Sequence, residues 1–80
     1  MRVIASYNHP EFKITLYAWN GKFILKFEQS LLEQTYKIPE TDFSGDLDIQ
    51  KLLADEQFLA QIKAQFAAMR NILADFHEKL

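Results

Sequence analysis

The side chains of this 80-residue chain with the types to carry chemistry are two histidines, three serines and a group of aspartates. His9 and His77 stand near opposite ends of the chain, with no cysteine and no carboxylate spaced to complete a tetrahedral metal site. Both read as ordinary solvent-exposed side chains, His77 placed to interact with the dipole at a helix C-terminus. Ser6, Ser30 and Ser44 have no nucleophile-elbow residues around them and no evident His/Asp partners. Two isolated glycines cannot build a phosphate-cradling loop. Asp42, Asp46 and Asp48 in TDFSGDLD share some residues with a calcium loop, but neither Asp42 nor Asp46 is followed by a glutamate at the twelfth position. Capping and solvation account for these aspartates. An enzyme is not expected, and no metal or other cofactor is implied.

Composition narrows the remaining classes. Apolar residues make up 49% of the chain, which argues against disorder and for one globular domain over residues 1–80. No apolar run approaches the roughly 20 residues that span a bilayer, so no membrane partner is expected. MRVIASYNHP has too short an apolar core for a signal peptide, and the absence of cysteine fits a reducing compartment; a cytoplasmic protein is the expectation. The net charge of −2 is unevenly shared. Residues 1–39 hold Arg2, Lys13, Lys22, Lys26 and Lys37 against Glu11, Glu28 and Glu33, whereas residues 40–80 are strongly acidic.

The chain is organised around Glu11–Gln29, EFKITLYAWNGKFILKFEQ. It alternates as two strands joined by Asn20-Gly21, the pair suited to a type I′ turn because both positions need positive φ. That turn sets Ala18 against Phe23, Leu16 against Leu25, Ile14 against Phe27 and Phe12 against Gln29. Before it, Arg2–Tyr7 alternates as a strand and Asn8-His9-Pro10-Glu11 supplies a turn. Pairing Tyr7 with Phe12 places Ala5 opposite Ile14, Val3 opposite Leu16 and Arg2 opposite Tyr17. After it, a turn at Ser30-Leu31 or a slightly longer loop leads into Leu32–Ile38, ended by Pro39. Tyr36 then opposes Leu25, Ile38 opposes Phe23, and Gln34 faces inward beside Phe27 as the one polar misfit, which a rim position or another register would explain. Residues 1–39 are expected to form a four-stranded antiparallel β-meander.

Residues 40–80 change to helical patterning. ETDFSGD is turn-forming, with Ser44 or Asp46 placed to cap a short helix carrying Ile49, Leu52 and Leu53. Asp55 caps a second helix from about Glu56, where Leu59, Ile62, Phe66, Met69, Leu73, Phe76 and Leu80 follow a 3-4 spacing. This long helix must cover the apolar face of the meander. Twenty-five helical residues span roughly 37 Å, while strands of this length run about 25 Å and four of them make a sheet about 19 Å wide. Either the short helix folds back and the last turn frays, or the overhang packs against a second copy. In the second case Met69, Leu73, Phe76 and Leu80 are the dimer contact.

The outer sheet face is the other candidate. In this register it gathers Arg2, Lys13, Tyr17, Trp19, Lys22, Ile24, Lys26 and Lys37, with Glu28 and Glu33 together at one end. Aromatics among cations suit single-stranded nucleic acid; a protein-binding or dimer-forming face, or a plain solvated face, has the same pattern. The order of four strands followed by a helix able to pair with a partner resembles the positive-coactivator and Whirly-type single-stranded-DNA binders and the Pur-alpha repeat. The resemblance lies in element order with no residue motif, and it assigns no binding residues. The expectation is an α+β domain, β-β-β-β-α-α, acting as a non-enzymatic interaction module. It is expected to be a homodimer, with a protein partner or single-stranded nucleic acid as the alternative occupant of the sheet face.

Overall fold

The Asn20-Gly21 turn forms as its residue types dictate, with φ of 53° and 75°. The computed structural model of this chain describes residues 1–44 and 46–80, residue 46 by its main chain only. The elements are β1 (Arg2–Asn8), β2 (Lys13–Trp19), β3 (Lys22–Gln29) and β4 (Leu32–Pro39), a 3-10 turn at Glu40–Asp42, then α1 (Asp46–Leu53) and α2 (Glu56–Lys79). The strands form one open antiparallel sheet in the order β1-β2-β3-β4. This is the expected α+β architecture.

Register follows from turn chemistry. Between β2 and β3, Ala18 opposes Phe23, Leu16 opposes Leu25 and Ile14 opposes Phe27, as the turn requires. The turn at Ser30 and Leu31 sets Tyr36 against Leu25 and Gln34 against Phe27, also as expected. The first hairpin departs from expectation. Its last pair is Asn8 with Lys13, so Tyr7 opposes Ile14 and Ala5 opposes Leu16. Phe12 is taken into the turn instead, where its carbonyl accepts from the His9 N–H at 3.3 Å and its ring stacks on His9 with centroids 4.3 Å apart. The shift of two residues keeps Ala5 and Tyr7 on the inner face.

A bulge between Val3 and Ala5 makes a further correction. Val3-Ile4-Ala5 is three apolar residues in succession, which strict alternation cannot bury on one face. The bulge packs both Ile4 and Ala5 against the core and leaves Val3 exposed, opposite Tyr17.

Both helices cover the inner face. Phe12, Ile14, Leu16, Leu25 and Phe27 of the sheet meet Ile49 of α1 and Ile62 and Phe66 of α2 in one buried cluster. Ile49 is fully enclosed, so the long helix is not the sole cover that its periodicity suggested. Asp55 caps α2, its carboxylate accepting from the main-chain N–H of Gln57 at 2.9 Å and of Phe58 at 3.3 Å. At α1 the Ser44 N–H donates to the Asp48 carboxylate at 2.6 Å. The expected cap by Ser44 or Asp46 involves residue 45 and the Asp46 side chain, which lie outside the described residues.

Candidate interaction surfaces

Midway along α2, polar contacts tie it to the turn end of the sheet. Lys63 pairs with Glu11 at 2.9 Å, and Arg70 donates to the Gln29 side chain, whose amide in turn donates to the Glu11 carbonyl at 3.1 Å. Past Arg70 the helix leaves the sheet. Its 24 residues span about 36 Å against strands of about 25 Å, and the molecule reaches 44 Å in its longest dimension. The apolar stripe continues along the projecting part. Ile72 and Phe76 are 56% and 55% exposed, and Leu80 is fully exposed.

Leu32, Met69, Ile72, Leu73 and Phe76 line an open groove of about 260 Å³ between this projection and the start of β4. Met69, Leu73 and Phe76 are therefore together as expected, whereas Leu80 lies beyond the groove. Ile72 and Leu32 had not been singled out. Ile72 falls outside the 3-4 series but stands three residues after Met69 and four before Phe76, on the same side of the helix. Leu32 is placed by the β3–β4 register, two positions from Gln34 on the inner face.

The outer sheet face is less uniform than its pattern implied. Lys13, Tyr17 and Trp19 on β2 stand against Glu28, Ile24 and Lys22 on β3, and Lys37 on β4 stands against Ile24. Three of the expected members change character. Arg2 pairs with Ala18 because of the bulge, which removes it from this face. Ile24 is only 4% exposed, enclosed between Tyr17 on one side and the stem of Lys37 on the other. Lys26 forms an ion pair with Glu33 at 3.0 Å. The hydrogen bond it donates to Glu33, and then the charge of that carboxylate, hold the Lys26 ammonium above the ordinary lysine pKa, so this cation stays charged and engaged. Trp19, 47% exposed, remains open beside exposed Lys22. A shallow pocket of about 170 Å³ is lined by Met1, Tyr17, Ile24, Lys26, Thr35 and Lys37.

His9 is half-buried rather than solvent-exposed, its Nδ1 accepting from the Glu11 N–H at 3.1 Å. Among the described residues no three histidine, cysteine or acidic side chains cluster as a metal site would require. Among the described residues no helix is long and apolar enough to cross a membrane. No family model, curated protein or solved structure matches this chain.

Proposed function

We propose that this protein is a small, non-enzymatic interaction module that works as a homodimer assembled through the projecting part of α2. The observation that carries this reading is the groove of Leu32, Met69, Ile72, Leu73 and Phe76, an apolar surface the monomer leaves open. An 80-residue domain has little core to spare, and a continuous exposed strip of this kind is an aggregation liability unless covered. A second copy is the partner always present at equal concentration. The projection past Arg70 carries Asp75 and Glu78 against Lys79, so two such segments approach with little net repulsion.

Light scattering across a concentration series tests this. The wild type should be dimeric, and Phe76→Glu should be monomeric because it places a charge in the apolar contact. The sheet should stay folded, since Phe76 lies outside the buried cluster. A wild type monomeric at high micromolar concentration would end the proposal.

A second reading rests on Trp19 standing open beside Lys22, with Lys13 and Lys37 on the same face. It takes single-stranded nucleic acid as the occupant of the outer sheet face.

A further inference from the structure

An open sheet has two edges, and here they differ. β1 carries the bulge between Val3 and Ala5, a device that blunts an edge against further pairing. β4 pairs regularly with β3 over all eight of its residues and has no strand on its other side. Its free groups can be assigned. The Glu40 N–H donates to the Gly21 carbonyl at 3.1 Å, which makes Gly21 and Glu40 a hydrogen-bonded pair. Alternation along an antiparallel ladder then makes Phe23–Ile38, Leu25–Tyr36, Phe27–Gln34 and Gln29–Leu32 hydrogen-bonded pairs too. The main-chain N–H and C=O groups of Glu33, Thr35 and Lys37 consequently point away from the sheet.

Their side chains are self-complementary. A two-fold axis through Thr35 sets Glu33 opposite the partner's Lys37, and Lys37 opposite the partner's Glu33, in register with the outward main-chain groups. The electrostatics favour this. Glu28 directly opposes Glu33 across β3 and β4, a like-charge pair that Lys26 only partly offsets. Lys37 has no ion pair among the described residues. Pairing a second β4 antiparallel brings the cationic end of one strand to the acidic end of the other; a parallel approach in register would stack like charges. Pro39, without an N–H, ends the ladder where the complementarity ends.

From Gln61 to Ile72, the flank of α2 beside this edge also carries no charge. Ile72 faces the β4 side, lining the groove with Leu32, while Lys63 and Arg70 reach Glu11 and Gln29 on the other side. Gln61, Gln65 and Ala68 continue the Ile72 flank at helical spacing, and all four residues are exposed. Depletion of charge is what marks the core of an interface.

The geometry points to a β4-to-β4 contact with a second copy, antiparallel about Thr35, that joins the two sheets into one continuous eight-stranded sheet. This rests on the homodimer reading and adds how the second copy sits. The same register lays the partner's Ile38 against Leu32, the strand residue of the apolar groove, so edge and groove form one contiguous surface.

Sedimentation of the full chain tests it. Glu33→Lys and Lys37→Glu should each weaken dimerisation by about tenfold, because each makes two like-charge contacts per dimer. The double variant Glu33→Lys/Lys37→Glu should return to within about threefold of wild type. Thr35→Pro should give monomers while melting close to wild type, since the N–H it removes faces outward. Unchanged affinity in both charge variants would overturn the edge contact. Phe76→Glu would still decide the helix-mediated dimer on its own, and a wild type that is monomeric would overturn both.

Discussion

Gln34, in the middle of β4, donates its side-chain amide to the main-chain carbonyl of Ile62 on α2 at 3.0 Å. Its oxygen accepts from the Tyr36 hydroxyl. Gln34 is buried, and this bond is how a polar side chain is accommodated on the inner face. It also joins sheet to helix directly over β4, fixing where along the strand α2 lies. The projection past Arg70 follows from that placement.

Gln34→Glu should destabilise the domain by about 3–5 kcal/mol at pH 7, because one oxygen of a buried carboxylate would face the Ile62 carbonyl oxygen, with the Tyr36 hydroxyl as donor to the other oxygen alone. The sign with pH is fixed. Burial raises the folded pKa of the new carboxyl above its unfolded value of about 4.3, so the folded state binds more protons and stability falls as pH rises through that window. Urea melts at pH 4.5 and pH 7 should therefore show the variant recovering on acidification. Gln34→Leu, which keeps the volume and removes the polarity, should stay within about 1 kcal/mol of wild type. Equal stability of Gln34→Glu at both pH values would mean that water reaches the site.

Gln34 also shows what the sequence could and could not say. Alternation and the Ser30-Leu31 turn placed it inward beside Phe27 correctly. Its partner is a main-chain carbonyl twenty-eight residues away, and side-chain patterning carries no trace of that. Hairpin registers were legible wherever turn chemistry is specific, as at Asn20-Gly21. They were misread at His9–Phe12, where stacking of two rings decided which residues formed the loop. Arg2 was lost from the outer face for a related reason: Val3-Ile4-Ala5 can alternate or bulge, and burial of Ile4 chose the bulge. Length alone made the projection of α2 foreseeable. Ile72 was missed because the groove uses the side of the helix rather than the centre of its stripe.

Ile24 and Leu25 point to opposite faces of β3, yet both are buried. Leu25→Ala should cost about 2–5 kcal/mol, as for a large-to-small change in a closed core. On pattern alone Ile24 faces solvent and should cost well under half as much. Enclosure between Tyr17 and Lys37 raises that expectation to about 2 kcal/mol, the low end of the same range because the pocket beside it is open to water and can relax. Denaturant melts give the ranking. A loss below about 0.5 kcal/mol for Ile24→Ala, the size of an ordinary surface change, would show that the outer face is solvated and not packed.

Trp19 decides whether the outer face binds single-stranded nucleic acid. It is the open aromatic of that face, and a base stacked on it should contribute about 1–3 kcal/mol. Its fluorescence should change on titration with a mixed-sequence oligonucleotide, and Trp19→Ala should weaken binding at every salt concentration. The lysines should separate by how engaged they already are. Lys22 is exposed and opposite Trp19, so Lys22→Ala should lower the salt slope by about one. Lys26 is held by Glu33, so Lys26→Ala should change that slope much less. The acidic second half of the chain opposes binding, which makes about 50 mM salt the favourable condition. An oligonucleotide that leaves Trp19 fluorescence unchanged there would remove nucleic acid from consideration and leave the sheet face to a protein partner.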